Sequence, residues 1–208
     1  MIELDEIVLD FASAVAAADS KCPVAINARS KKAFQPGIGP HSESRTVELV
    51  TEEMQSAKPV VYRGRLILGV SYPDAPKQKC DFCVGTGSPW IWAVEVKMLR
   101  ILGDNGKAND NILMHILSPY AEHRSAVTDC IKLSRSSIAS RKAVLIFGYD
   151  AADWPLLPAI EAFEALASRR YQLGDRNEAR FSGLVHPVHA SGSVFAWELR
   201  GNRAGTPG

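Results

Sequence analysis

The alternation of hydrophobic and polar positions predicts an α/β protein in which helices flank a central group of strands. Helical spacing of apolar residues predicts helices over residues 4–19, 41–55, 120–134 and 154–170, with a shorter one over 111–117. Short apolar runs bounded by turn-forming residues predict strands over 66–70, 80–84, 91–98, 143–147, 181–188 and 194–199, with 60–62 as a further candidate. This order of elements suits a mixed sheet covered by helices.

Three charged residues interrupt the two central strands, where a buried strand pair should be almost entirely hydrophobic. Asp81 lies inside one apolar run, and Glu95 and Lys97 lie inside the next. Ionised groups at such positions are costly unless they are paired or hold a metal. The strand period of two places Glu95 and Lys97 on one face, and the opposite face then carries Trp92, Val94, Val96 and Met98. Two carboxylates and an ammonium that meet at a sheet edge can hold Mg²⁺ and activate water.

The spacing Asp-x(13)-Glu-x-Lys, formed by Asp81, Glu95 and Lys97, resembles the motif of the PD-(D/E)xK nuclease superfamily. The resemblance covers roughly residues 39–100 by motif and the rest of the chain by element order. It implies a restriction-endonuclease-like mixed sheet flanked by helices. We therefore expect a single nuclease-like domain over residues 1–208, in which 1–38 form an N-terminal helical extension and connection.

The same resemblance implies a catalytic set and its chemistry. Asp81, Glu95 and the Val96 carbonyl would ligate Mg²⁺, for which Mn²⁺ would substitute, and Glu43 on the first core helix would add a further acid. Lys97 would position the attacking water and stabilise charge on the phosphate. The expected function is metal-dependent phosphodiester hydrolysis by a DNA endonuclease, with DNA as the partner, and a homodimer is compatible with the pattern.

Two of these positions have a second interpretation. The literal Pro-Asp pair is Pro73-Asp74, but Asp74 lies in a turn-like stretch, so we favour Asp81 as the first metal ligand. Glu43 shares the apolar face of its helix, which favours a functional role, although an acid in the first turn also complements the helix dipole.

Two motifs outside the central strands are also candidates for function. Arg124, Lys132 and Arg135 follow the motif and would contact DNA phosphates, unless they belong to a surface helix stabilised by ion pairs. A pairing of Cys80-x-x-Cys83 with His186-x-x-His189 would form a zinc site in a zinc-stabilised interaction protein. Three-residue spacing within one strand should point the two cysteines to opposite faces, which disfavours that site. A catalytically silent nuclease-fold protein that binds nucleic acid or a partner is the other alternative.

Composition narrows the class of protein without naming a partner. The chain has 208 residues and a formal net charge of +1, so no strongly basic surface indicates nucleic acid. No apolar run is long enough to span a bilayer, and the acidic N-terminus lacks the basic region of a signal peptide. Four cysteines are expected to be reduced and mostly buried. We expect a cytoplasmic protein that does not contact membranes.

Overall fold

The fold of residues 2–202, taken from a computed structural model, is a seven-stranded mixed sheet flanked by helices. The helices are α1 (Leu4–Ser20), α2 (Glu43–Ala57), α3 (Pro59–Tyr62), α4 (Met114–Leu117), α5 (Ala126–Arg135) and α6 (Leu157–Ala167), with a 3₁₀ turn at Ala121–His123. The strands are β1 (Leu66–Tyr72), β2 (Ala75–Val84), β3 (Trp90–Leu99), β4 (Ala139–Tyr149), β5 (Tyr171–Leu173), β6 (Asn177–Ser182) and β7 (Ser191–Asn202). None of these helices is long and apolar enough to cross a membrane.

The strand order is β1-β2-β3-β4-β7-β5, and β6 pairs separately with β7. Strands β3 and β4 are parallel, whereas the other pairs are antiparallel. A parallel pair needs a crossover connection, and the segment that contains α4 and α5 supplies it. This crossover brings α5 onto the sheet beside β3, where the motif residues lie.

Two hydrophobic cores lie on opposite faces of the sheet. The first core packs α1 and α2 against the sheet and contains Phe11, Trp92 and Phe147. The second core packs α5 and α6 against the other face and contains Phe163 and Trp197. Strands β3 and β4 contribute alternate residues to each core, so both are buried on both faces, as the continuous apolar run over 143–147 indicates for β4.

Helix α1 is part of the first core, although the sequence suggested an extension. Its start is fixed by a capping box between Glu3 and Glu6, and its apolar stripe includes Val8 and Phe11. The Phe11 ring lies 5.6 Å from the Phe147 ring of β4. The N-terminal segment therefore contributes to the stability of the same core as the central strands.

Several predicted elements differ from the structure. Residues 60–62 belong to the helical turn α3, because Pro59 occupies the first turn of a helix, where its missing N–H costs nothing. The helix predicted over 120–134 is interrupted at Arg124, whose left-handed backbone (φ 47°) separates the 3₁₀ turn from α5. The strand predicted over 181–188 is β6, which begins at Asn177 and ends at Ser182, before a loop. The short edge strand β5 was not predicted.

Candidate active site

A fork between β2 and β3 forms the base of the candidate site. The two strands pair only over Phe82–Val84 and Trp92–Val94, and we call the point where they separate the fork. Beyond Val94, the edge of β3 that faced β2 is contacted by side chains instead of by a strand. Asp81 Oδ2 accepts a hydrogen bond from the Val96 N–H at 2.7 Å. Glu43 Oε2 accepts one from the Met98 N–H, also at 2.7 Å. Two of the predicted acids are thus attached to the open edge of the strand that carries Glu95 and Lys97.

Glu43 reaches this edge from the first residue of α2. The Ser42 hydroxyl caps that helix by accepting a hydrogen bond from the Arg45 N–H at 3.3 Å. The cap positions the first turn, so that the Glu43 side chain points toward β3. The functional interpretation of Glu43, as an acid beside Lys97, is consistent with this placement.

Glu95 and Lys97 project from the second face of the sheet, as the strand period predicted. The opposite face of β3 contributes Trp92, Val94 and Val96 to the first core. Glu95 is 1 % exposed; its Oε1 accepts a hydrogen bond from the Tyr72 hydroxyl and lies 3.0 Å from the Lys132 ammonium. Lys97 Nζ lies 2.8 Å from Asp129 Oδ2 and 3.5 Å from Glu43 Oε1.

Asp129 joins the two lysines into one charge network. Its side chain is fully buried, and its second oxygen lies 2.7 Å from the Lys132 ammonium. Helix α5 therefore supplies Asp129 and Lys132, which connect Lys97 to Glu95 through a chain of ion pairs. A buried carboxylate is tolerated here because two ammonium groups compensate its charge.

Burial and neighbouring charges shift the pKa values of the network in consistent directions. Burial, reinforced by the Asp129 charge, raises the pKa of Glu95 well above its ordinary range. Burial also raises the pKa of Glu43, although Lys97 opposes this shift. Burial alone would lower the pKa of Lys97, but the Asp129 and Glu43 carboxylates outweigh it and the pKa is raised. Lys97 is therefore an ammonium at neutral pH.

A cleft of about 1110 Å³ opens above this network and is lined on both sides by basic residues. One wall is formed by β2 and carries the exposed Lys77 and Lys79. The other wall carries Arg124, Lys132 and Arg135, the three residues for which phosphate contacts were predicted. Arg124 and Arg135 are exposed, whereas Lys132 points inward to the Glu95–Asp129 pair. An interpretation of this helix as purely surface ion pairs is thus wrong for Asp129 and Lys132.

The donor chemistry of the fork suits Mg²⁺, but the carboxylates are not gathered tightly. Asp81, Glu95 and the Val96 carbonyl offer the hard oxygen atoms that Mg²⁺ prefers. Within residues 2–202, however, the only group of three potential ligand side chains whose atoms lie within 4.8 Å of one another is elsewhere, at Asp104, His186 and His189. A divalent ion bound at Glu95 Oε1 would replace the Lys132 ammonium as the partner of that carboxylate.

Asp74, the alternative first ligand, occupies a different position. It lies in the exposed turn between β1 and β2, on the outer lining of the cleft. Asp81 is instead hydrogen-bonded to the β3 edge. The geometry favours Asp81.

Comparisons with known proteins assign no family to the chain. No protein-family model, curated protein or solved structure matches it. The geometry of the site and the residues of the motif are therefore the basis for assigning a function.

The proposed pairing of the cysteines with the histidines is not formed. Cys80 and Cys83 both lie in the second core, contrary to the expectation that they point to opposite faces. Strict alternation fails at Asp81, because Cys80 and Phe82 enter different cores. Among the described residues, these cysteines belong to no group of three potential metal ligands. All four cysteines are free, and all except Cys22 are buried, as predicted.

Sequence reasoning missed the functional positions of Tyr72 and Asp129. Asp129 had a detectable signal, because it lies beside Ala126, Cys130 and Leu133 on the apolar stripe of α5. Tyr72 had none, since its contact with Glu95 depends on how β1 packs beside β2 and β3.

Proposed function

We propose that this protein is a metal-dependent DNA endonuclease of the PD-(D/E)xK type, with a restriction-endonuclease-like fold. The observation that supports the proposal most strongly is the meeting of Glu43, Asp81 and Lys97 at the open edge of β3, with Glu95 on the same strand. The N–H and the carbonyl of one strand residue point to the same edge of the strand. Because the Val96 N–H is bonded to Asp81 at the open edge of β3, the Val96 carbonyl also faces the gap between β2 and β3. Two acids, a carbonyl and an ammonium thus lie along the same open edge of β3.

Each residue of the site has a different role in the proposed phosphodiester hydrolysis. Asp81, Glu95 and the Val96 carbonyl would hold Mg²⁺ or Mn²⁺, which when bound lowers the pKa of a coordinated water and neutralises charge on the phosphate. Glu43 holds the Met98 N–H and orients Lys97 at 3.5 Å. Lys97 supplies a fixed positive charge next to the scissile phosphate.

The raised pKa of Lys97 favours one of two roles for this residue. A lysine that acts as a general base needs a depressed pKa, so that the neutral amine is populated near pH 7. The Asp129 and Glu43 carboxylates raise it instead. Lys97 therefore acts by electrostatic stabilisation and by positioning water.

The shape and charge of the cleft support a nucleic acid as the substrate. The exposed basic residues of the cleft lining are Lys77, Lys79, Arg124 and Arg135, and they accompany the buried acids of the site and the exposed acids Asp74 and Glu122. Such an arrangement contacts phosphates on both sides of a reacting group and fixes the register of a duplex. Free, mostly buried thiols agree with a reducing compartment, so we place the protein in the cytoplasm.

The test is cleavage of plasmid and oligonucleotide DNA with and without Mg²⁺ or Mn²⁺. Asp81→Asn retains an acceptor oxygen for the Val96 N–H, so it should fold normally and lose cleavage while still binding DNA in Ca²⁺. Asp74→Asn is the matched control, because it removes a carboxylate from the same cleft. If Asp81→Asn cleaves like the parent protein while Asp74→Asn does not, the assignment of the first ligand is wrong. If the parent protein cleaves nothing with either metal, the nuclease proposal fails.

One observation favours a second candidate, a catalytically silent nuclease-fold protein that binds nucleic acid. The Lys132 ammonium lies 3.0 Å from Glu95 Oε1, where it compensates the charge that a metal would otherwise compensate. Isothermal titration with Mn²⁺ separates the two candidates. The nuclease requires a Mn²⁺ binding event that Asp81→Asn abolishes, whereas in the silent protein no binding event depends on Asp81, or one appears only after Lys132→Ala.

A further inference from the structure

A second cluster of potential ligands lies away from the fork, in loops that the proposed nuclease chemistry does not use. His186 and His189 belong to the loop between β6 and β7, and Asp104 belongs to the loop after β3. One ligand atom from each residue lies within 4.8 Å of the other two. Both histidines are 1 % exposed, and their rings stack with centroids 4.7 Å apart.

One buried polar atom of each residue in this cluster has no hydrogen-bond partner among the described residues. These atoms are His186 Nε2, His189 Nδ1 and Asp104 Oδ1. Buried polar atoms are almost always satisfied, and leaving three of them unpaired at one point is costly. The convergence of three such atoms therefore indicates a bound group.

The ring nitrogen of His189 that points away from the cluster, Nε2, has the hydrogen-bond partner that is typical of metal-binding histidines. Nε2 lies 3.0 Å from the Leu102 carbonyl oxygen, which can only accept a hydrogen bond. Nε2 therefore carries the proton, and Nδ1 presents a lone pair to Asp104 Oδ1, 3.8 Å away. A backbone carbonyl that fixes the tautomer in this way is a common outer partner of a ligating histidine.

We propose that His186, His189 and Asp104 bind one divalent transition-metal ion, with Zn²⁺ as the best match. Two imidazoles and one carboxylate are the nitrogen and oxygen donors that Zn²⁺ accepts, and they leave a fourth position for water. Ligand atoms bonded at about 2.0–2.1 Å in a tetrahedron lie roughly 3.3–3.4 Å apart. The 3.8 Å between His189 Nδ1 and Asp104 Oδ1 therefore needs only a small contraction.

Two neighbouring contacts change when the ion binds. The Val188 N–H lies 3.3 Å from His186 Nδ1, and this long contact is lost because a ligating Nε2 requires the proton on Nδ1. Arg100 is the nearest cation to Asp104, at 3.9 Å, but its Nη1 already donates to the Gly39 carbonyl at 2.6 Å. Arg100 therefore compensates Asp104 weakly, and the ion does so more directly.

The ion would act as a structural clip between loops that are distant in sequence. The Gly39 loop presses against the same ring, since a Cβ at residue 39 would lie 2.4 Å from His189 Nδ1. Glycine at this position allows the loop of residues 37–41, the Asp104 loop and the His186–His189 loop to meet. Binding to the folded state alone stabilises it by mass action, so the expected effect is a higher melting temperature.

The experiment measures zinc content and melting temperature of full-length protein made without a polyhistidine tag. We expect about one Zn²⁺ per chain after loading and desalting, and a melting temperature that rises with Zn²⁺ but not with Mg²⁺. Asp104→Asn should fold and bind Zn²⁺ at least about tenfold more weakly. Asp110→Asn, an exposed acid after the same loop, is the matched control and should bind like the parent.

Further variants keep the test decisive if a histidine variant does not fold. Asp81→Asn should retain zinc, so the outcome is independent of the nuclease proposal. Zinc that Asp104→Asn retains and a Cys80→Ser, Cys83→Ser double variant loses would overturn the assignment. So would the absence of zinc binding by folded parent protein, which would mean that buried water satisfies the three atoms.

Discussion

Lys97 is the residue on which the charge balance of the candidate site depends. It contacts Asp129, Glu43 and the Val96 carbonyl, so one ammonium touches both acids that arrive from helices and the backbone of its own strand. The structure explains how a lysine can be buried in the middle of a strand. The carboxylates around it stabilise its charged form, and the charge then faces the cleft.

Replacing Lys97 should separate electrostatic catalysis from metal binding. Lys97→Ala should reduce single-turnover cleavage by at least about 100-fold, because within residues 2–202 no other cation pairs with Glu43. Mn²⁺ affinity should change little, since an ammonium is not a ligand. Lys97→Arg should rescue poorly, because a broad guanidinium does not fit between Asp129 and Glu43.

Lys107→Ala is the control for Lys97, since it removes an exposed lysine that does not line the cleft. Circular dichroism at the assay temperature must show that each variant is folded. A parental rate for Lys97→Ala would mean that Lys97 only pairs Asp129, and it would remove the main support of the nuclease proposal.

Arg124 allows backbone strain and phosphate binding to be measured at one position. Its left-handed backbone costs about 1 kcal/mol for a residue with a Cβ, and glycine avoids most of that cost. Arg124→Gly should therefore be more stable than Arg124→Ala by roughly 0.5–1 kcal/mol in urea unfolding. Both should weaken DNA binding equally, as measured by fluorescence anisotropy at several salt concentrations. Equal stabilities, or weaker binding in only one variant, would contradict this account.

At the scale of elements, Arg141 joins three of them on the far side of the molecule from α5. From β4 its guanidinium contacts Glu198 of β7 at 2.8 Å and Glu3 before α1 at 2.6 Å, and it lies 4.1 Å over the Trp92 ring. Hydrogen bonds from Arg141 lower the pKa of Glu198. This group links the N-terminal helix to the sheet by charge in addition to the first core.

The Glu198–Arg141 pair should stabilise the protein in a defined pH range. Because the folded state lowers the pKa of Glu198, the stabilisation is present above about pH 4.5 and is lost as the pH falls below that value. Glu198→Gln should cost about 0.5–1 kcal/mol at pH 7 and measurably less near pH 3.5, as measured by urea unfolding. Glu161→Gln, on the exposed side of α6, should show no such pH-dependent difference. A cost that is the same at both pH values would refute the ion-pair explanation.

At the scale of the whole molecule, one sheet supports two cores. Phe11 belongs to the first core and Phe163 to the second, and both are fully buried. Strands β3 and β4 supply residues to each core, so the cores cannot unfold independently without breaking the same sheet. The predicted single domain requires this coupling.

Truncating either phenylalanine should shift one shared unfolding transition. Phe11→Ala and Phe163→Ala should each cost about 3–5 kcal/mol, from lost burial and from the cavity left behind. Denaturation followed by tryptophan fluorescence and by circular dichroism should give coincident curves in both variants. Two separate transitions, with Phe11→Ala affecting only one, would instead show that α1 and its partners form an independent unit.

Sequence periodicity determined which face most strand residues occupy, with Cys80 as an exception, and where most helices lie. The alternation in β3 was enough to place Glu95 and Lys97 on one face and Trp92 and Val94 on the other, because strand geometry is local. The same holds for the stripe of α1 and for Glu43 on the apolar side of α2. Local signals failed where backbone conformation overrides a pattern, as at Arg124, or where a short segment such as 60–62 fits a helix and a strand equally well.

Only the tertiary structure decided which charges meet. The Lys97–Asp129 and Lys132–Glu95 contacts join β3 to a helix that follows it by some thirty residues, and no local period encodes that docking. The same is true of the group formed by Asp104, His186 and His189, which two loops bring together. The geometry of a helix or strand determines which face of that element a residue occupies. The partner that the residue contacts is determined by how the elements pack against the shared sheet, and this packing depends on the whole chain.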